Sequence, residues 1–507
     1  MGYPVHAARL DLGEVGGDAG RSEPGRKPGI SRYEKILLFL FLLTLPLINP
    51  WVRGDGIGYY AYVRALLIDH NLRFEKDWRA GNSSFVMSRV DKDGKVKEDQ
   101  YTSTGYLNNH FTVGPAMLWA PFLAAVHVTV LGLDAVGAHI PADGFSRPYR
   151  VAMALATAFY GFLGLCLAFR LAREYFDERW AFLGTVGIWF ASSLPVYMYF
   201  NPSWSHAHSA FAVALFLWYW HRTRERRTPG QWALLGALAG LMVDVYYPNG
   251  VFILVPLLES LRGYGRAWRA PDPSGGTLRG WLLADAVFAA AFLAALLPTF
   301  ITRRIIFGSP FRFGAYTEMQ WNWKHPMLWS VLFSSNHGLL TWTPILIPAV
   351  LGLLLLRHRD RAFFGYLLVC FLAFTYVIAS YALWHGISSY GNRFFVSLTP
   401  VFILGLTASW AGLARLFRRA GRAFAVGSLA TGCFILWNVG LMFQWGTHMI
   451  PVRGPIDCRQ MVYNQVAVVP GRLFRTAKTY LVARGALMDD VEREDIKQLQ
   501  KQTPGSR

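Results

Sequence analysis

The sequence predicts an all-α, polytopic membrane protein of about eleven transmembrane helices. Three observations predict it. Hydrophobic residues make up 53% of the 507 residues against 16% charged. Apolar runs near or at the length a helix needs to cross a bilayer recur along the chain. The Lys and Arg residues fall into short clusters between those runs rather than into one basic domain. The runs lie near 35–52, 111–133, 149–171, 180–199, 207–221, 231–246, 248–261, 281–301, 341–356, 362–382, 395–413 and 424–443.

Residues 1–34 read as a polar cytoplasmic leader rich in Gly, Pro and Arg. The run 35–52 has no small-x-small cleavage site after it, so it reads as a retained anchor. RSEPGRKPGISRYEK, HRTRERR (221–227), LRGYGRAWRA (261–270), RHRDR (357–361) and ARLFRRAGR (414–422) are the densest basic loops and belong on one, cytoplasmic, side. The net charge of +19 is then a topological signal, and no nucleic-acid partner is expected. With the N-terminus and REYFDERW (173–180) both inside, an even number of crossings separates them, yet three runs lie between. The run 111–133, with Pro115, Pro121 and His127, is the one expected not to cross, as a re-entrant or interface-lying segment. A similar half-span is expected at 326–338. This leaves a transmembrane domain over 35–443, with a first external loop at 53–148, and an external tail over 444–507 without a legible motif. Within the first loop, VDKDGKV (90–96) reads as a hairpin with an Asp-Gly turn. Cys166, Cys370 and Cys433 lie in apolar runs, Cys458 lies in a polar one, and no C-x-x-C pair occurs, so no disulfide framework is indicated.

The unusual polar residues gather on the outer face. RGDGIGYYAYVRALLIDHN (53–71) reads as an amphipathic interface helix with Asp55 just before its start. Asp55 is either a helix cap or a general base, and the glycines beside it leave room for a substrate. In NPSWSHAHS (201–209), His206 and His208 suit proton transfer or structural hydrogen bonding. A zinc site would need a third ligand or an H-E-x-x-H spacing, and neither accompanies them. WHGISSYGNRFF (384–395) delivers Arg393 to the start of a span, where a guanidinium either snorkels to headgroups or holds a phosphate bidentately. Arg303, Arg304 and Arg312 break the charge rule on this side, which hints at an anionic ligand. Asp244, an intramembrane carboxylate, is either functional or a hydrogen-bonded structural residue.

The blocks RGDGIGYYAYVRALLIDHNLRFEKD, PSWSHAHSAF, FGSPFRFGAY, HGLLTWTPILIPAVLGLL and WHGISSYGNRFF, in this order from about residue 35 to 443, resemble the glycosyltransferase C superfamily. The branch they look like is the bacterial one related to protein mannosyltransferases and aminoarabinose transferases. The resemblance implies transfer of one sugar from a polyprenyl-phosphate donor to a lipid, glycan or protein acceptor. It also implies an integral protein of the bacterial inner membrane with its site on the periplasmic face. Asp55 matches the family's first-loop base and Arg393 its donor-phosphate cation, with Arg303 and Arg304 behind it. Where many members have an acidic residue at the second external site, this chain has Ser205, His206 and His208, so the partner of Asp55 stays open. No cofactor is expected, with a divalent cation left as the alternative. Tyr59, Tyr60, Asp69, Asp244, Trp384 and His385 are the expected substrate contacts, and Trp204, Trp321 and Trp323 are further candidates for a sugar subsite. A transporter or flippase for a lipid-linked or anionic solute is the reading from another class. It would predict broken helices near the midplane and an internal repeat, and no repeat is visible.

Overall fold

The computed structural model describes residues 29–269, 277–314, 321–417 and 419–502. Helices of ten residues or more are numbered here in chain order. They are α1 (Arg32–Thr44), α2 (Asp55–Arg64), α3 (Gly114–Ala135), α4 (Arg147–Arg173), α5 (Glu178–Phe190), α6 (His206–Thr223), α7 (Pro229–Val245) and α8 (Leu254–Arg269). After them come α9 (Leu278–Ala295), α10 (Leu297–Phe307), α11 (Leu346–Leu356), α12 (Arg361–Ser380), α13 (Thr399–Leu413), α14 (Ala420–Gly446), α15 (Val469–Val482) and α16 (Arg484–Gln502).

Among the described residues, six helical stretches have the length and apolarity to cross a bilayer: α3, α4, α9, α12, Arg393–Leu416 and α14. Shorter apolar helices pack among them, and the chain is a multi-pass membrane protein built of helices. Each predicted apolar run holds helix, and proline stands at three of the breaks between helices. Pro195 precedes a π-type turn after α5, Pro298 opens α10 after a break from α9, and Pro344 separates Leu339–Trp342 from α11. At the centre, α11 and α13 meet through Gly352 and Gly405, where a Cβ on Gly405 would come within 1.9 Å of the Ala349 carbonyl. Small residues at such a crossing let two backbones approach.

The short basic loops converge at one end of the bundle. Arg170 bonds Glu34 at 2.6 Å, Arg224 bonds Asp360 at 2.5 Å, and Arg227 bonds Glu259 at 2.7 Å. The site residues lie at the opposite end.

Two expectations for the first loop are corrected. Of the two readings of 111–133, re-entrant or interface-lying, the re-entrant turn is corrected: α3 is a single unbroken helix of 22 residues. Length and apolarity alone would let it cross. Its flanks nevertheless sit at one end of the bundle, since Tyr62 donates to the Asn109 carbonyl and Tyr60 to the Gly144 carbonyl. Pro115 falls in its first turn, where no intrahelical donor is lost, and Pro121 lies inside the helix without ending it. The stretch after Asp55 is also no interface helix, because α2 is buried on all sides from Gly56 to Arg64. Phe111 covers Tyr59, Trp119 of α3 covers Tyr60, and Phe74 covers Tyr62. The 326–338 segment contains one six-residue helix, Leu328–Phe333. The 90–96 hairpin forms, with Val90 and Val96 bridged and Gly94 at φ 77°.

Candidate active site

The site is built on the first residue of α2. Gly54 takes φ 54°, a left-handed geometry that glycine adopts without strain, and its N–H donates to Asn82 Oδ1 at 3.0 Å. Asp55 follows as the first helical residue, and its side chain makes no capping hydrogen bond. The cap reading is thereby displaced. Instead Asp55 Oδ2 lies 2.8 Å from Arg393 Nη2, with 35% of the Asp55 side chain exposed and 11% of Arg393. The neighbouring glycines do not clear space for a substrate. A Cβ on Gly56 would meet Ser203 Oγ at 2.0 Å, and one on Gly58 would meet Phe111 at 2.0 Å. They let the helix pack closely and so fix where Asp55 emerges.

Arg393 opens the 3₁₀ turn Arg393–Leu398 that leads into α13. Its guanidinium stacks 4.3 Å above the Trp204 ring, and Phe394 lies on another side at 5.5 Å. Trp204 is itself fixed, because its indole N–H donates to the Arg53 carbonyl at 3.0 Å. The Nε–H of Arg393 is buried and meets no hydrogen-bond acceptor among the described residues. A planar donor fork with an open edge suits an oxyanion. Tyr59, Tyr197 and Tyr246 lie near enough to interact electrostatically with Arg393, and Tyr381 with both Arg393 and Asp55. The Ser205 hydroxyl donates to Tyr59 Oη at 3.1 Å.

The two histidines part company. They are the first and third residues of α6, and positions two apart on a helix do not share a face. His206 enters the aromatic wall of the site, with its ring 4.8 Å from Tyr197 and 5.8 Å from Tyr246. His208 turns away to Trp119 at 5.1 Å and Tyr160 at 5.6 Å. Among the described residues no group of three His, Cys, Asp or Glu side chains is placed to hold a metal.

Several other nominated residues serve the scaffold. Arg303 is fully buried and donates to the carbonyls of Asn109 at 3.0 Å and Phe111 at 2.5 Å and to the Tyr62 hydroxyl at 2.9 Å, so it clamps the first loop. Arg304 is exposed on α10 and bonds the Gly308 carbonyl. Asp69 binds Arg64 at 2.7 Å and Lys76 at 2.8 Å, away from Asp55. Asp244 is fully buried and accepts from Thr299 at 2.5 Å. Tyr60 faces Trp119 and the Gly144 carbonyl, on the other side of α2. His385 is half-buried near Arg393, and burial followed by that charge pushes its pKa down. The Trp384 ring meets His385 edge-on at 5.5 Å. Trp321 and Trp323 stack on each other at 5.1 Å, and Trp321 also meets Tyr381 at 5.2 Å.

Three residues that the sequence did not single out stand around Asp55. Arg89, His110 and Arg453 all interact electrostatically with it. Burial pushes the His110 pKa down to about 4, so the ring is neutral near pH 7. Arg453 donates to Ser388 Oγ at 2.5 Å in the loop before Arg393. The tail helix α16 braces the same turn. Glu492 accepts from Asn82 Nδ2 at 2.9 Å, which orients the Asn82 amide so that its oxygen faces Gly54. Asp495 pairs with Arg53 and with His448, at 2.8 Å for the latter. Burial would raise the Asp495 pKa, but His448 and Arg53 outweigh it and hold the carboxyl below its usual range.

Fold and site together define a helical membrane protein with an arginine–carboxylate pair at one mouth of its bundle. Residues 147–270, which cover α4 to α8, match the family model described as dolichyl-phosphate-mannose-protein mannosyltransferase. That is a glycosyltransferase C family, in agreement with the resemblance read from the sequence blocks. No curated protein matches the chain. Among solved structures, the chain is similar to ArnT from Cupriavidus metallidurans, crystallised with undecaprenyl phosphate. The identity there is 15%, the coverage 92% of this chain and 74% of that one, and the TM-score 0.46. It is also similar to the archaeal oligosaccharyltransferase AglB from Archaeoglobus fulgidus, in complex with an inhibitory peptide and a dolichol-phosphate. There the identity is 13%, the coverage 91% and 56%, and the TM-score 0.41.

Proposed function

We propose that this protein is a membrane glycosyltransferase that moves a sugar from a polyprenyl-phosphate donor to a hydroxyl-bearing acceptor at the outer membrane surface. The observation that carries the reading is the Asp55–Arg393 pair: a carboxylate one-third exposed, free of any capping role, beside a largely buried guanidinium whose Nε–H has no acceptor among the described residues. The family model matched by residues 147–270 supports the same class of donor.

The chemistry follows from the two groups. The acceptor oxygen attacks the anomeric carbon, the bond from that carbon to the phosphate oxygen breaks, and the electron pair leaves on the lipid phosphate. Asp55 takes the acceptor proton, and Arg393 stabilises the departing phosphate. In the resting site Arg393 is paired with Asp55. A donor phosphate competes for that guanidinium and releases the carboxylate to act as base. Tyr59, Tyr197, Tyr246 and His206 offer a polar, aromatic wall for the sugar, with Trp204 holding Arg393 flat. The transport reading would need Asp244 on a polar path, and that residue is fully buried and bonded to Thr299.

The test is transfer of a labelled sugar from its polyprenyl phosphate to membrane acceptors. Wild-type protein is expected to transfer label and Asp55→Asn to lose it. Full transfer by Asp55→Asn would remove Asp55 from the base role.

A further inference from the structure

We infer that α15 is an interfacial helix whose outer face rests on an anionic bilayer surface. From Cys458 to Val482 the chain is continuously helical, with one π-type turn at Asn464–Val468. Tyr463, Val466, Pro470, Phe474, Ala477 and Leu481 are all exposed, at successive steps of three, four, four, three and four residues. That spacing is one face of a helix. Val466 is 72% exposed and Phe474 82%, and an apolar stripe left open to this degree marks a contact surface.

The placement of the helix names the occupant. Its inner face is pinned at two points about 22 Å apart along the helix. At one, Gln465 Nε2 donates to the Trp437 carbonyl of α14 at 2.9 Å. At the other, Tyr480 donates to the Leu47 carbonyl just beyond α1 at 2.7 Å, and its ring meets Phe200 at 5.6 Å. The helix therefore runs from the C-terminal third of α14 to the chain just beyond α1. Both present open apolar flanks, Leu429 and Leu436 on α14 and Phe39 and Leu43 on α1. The stripe on α15 continues the surface that those helices turn to lipid. Next to it stands Lys478, with Arg475 and Arg472 further round the helix, all exposed and without an ion pair among the described residues. An apolar face bordered on one side by unpaired cations is the composition that binds anionic headgroups. Because α16 follows directly and carries Glu492 and Asp495, the contact also sets the height of the Asp55 turn above the membrane.

Spin labelling tests this without reference to catalysis. The full chain, with Cys166, Cys370, Cys433 and Cys458 replaced by Ala, is reconstituted into phosphatidylcholine vesicles with and without phosphatidylglycerol. Single nitroxides are placed through Val466→Cys, Phe474→Cys, Leu481→Cys, Arg472→Cys and Lys478→Cys. We expect collision with oxygen to exceed collision with a water-soluble nickel complex severalfold at the first three positions, and the reverse at the last two. Phosphatidylglycerol should raise the oxygen-to-nickel ratio at Phe474→Cys, and adding Arg472→Gln, Arg475→Gln and Lys478→Gln should abolish that rise. Nickel access at the stripe equal to that at the flanks would overturn the inference. So would shielding of the stripe from both reagents, which would point to a protein or a second copy, and so would indifference to phosphatidylglycerol. Should the cysteine-free chain not fold, a lipid-soluble carbene reagent on the unaltered protein should label the peptide holding Phe474, and an unlabelled peptide would count against it.

Discussion

Helix α2 carries an arginine–carboxylate pair at each end, and the two are built differently. At its first residue, Asp55 makes one contact with Arg393, a third of its side chain stays exposed, and Arg393 Nε is left open. At its last residue, Arg64 is held on both edges. It donates to Asp77 at 2.6 and 2.7 Å and to Asp69 at 2.7 Å, it stacks on Phe145 at 4.8 Å, and the pair with Asp77 is 1% and 2% exposed. The second pair uses its hydrogen-bonding capacity to tie α2 to the loop that follows it. The first leaves capacity unused beside a carboxylate that is one-third exposed. Incomplete satisfaction at a partly exposed carboxylate is what separates a reactive pair from a structural one.

The comparison breaks most sharply at Asp55 and Arg393. Removing a general base should slow transfer by about 10²- to 10⁴-fold, and Arg393→Ala should cost about 10²- to 10³-fold as a lost oxyanion donor. Both rates are read from label transfer, and both variants should unfold near the wild-type temperature. Arg64→Ala should do the opposite. Leaving Asp77 buried and unpaired costs about 3–5 kcal/mol, seen as a lowered unfolding temperature in detergent, while transfer per folded molecule holds. A smaller effect is expected from Glu492→Lys, which releases the Asn82 amide that fixes Gly54. A displaced Asp55 should lower kcat by about tenfold with donor KM held, since small misplacements act on the rate, and Glu492→Gln should restore it by keeping an acceptor in place. The smallest effect concerns His110. Its pKa is pushed by burial from 6.5 to about 4, so the unfolded chain takes up a proton that the folded chain refuses. Stability should fall as pH drops from about 6.5 towards 4, and His110→Gln should flatten that slope in unfolding temperature against pH.

The apolar runs were legible because helical periodicity and length survive in a single sequence, and the prolines that divide them were visible as well. Asp55 and Arg393 were legible one at a time, each as a polar residue at the mouth of a span. Their pairing was not, since it joins positions far apart in the chain. The histidines were legible as a pair, whereas a helix that begins at His206 sends them to different sides and leaves His206 in the aromatic wall of the site. Arg303 misled for another reason: an arginine that satisfies buried loop carbonyls breaks the charge rule just as one that binds a ligand does. Arg89 and Arg453 carried no signal. One flanks a hairpin and the other sits in the tail, and only tertiary folding brings both to Asp55.

The most direct test sets Asp55→Asn against Asp77→Asn in the same membranes, with transfer of labelled sugar and thermal unfolding measured on each. The account predicts that Asp55→Asn is folded and inactive, and that Asp77→Asn is less stable yet active per folded molecule. An Asp55→Asn protein that transfers sugar at the wild-type rate would contradict it.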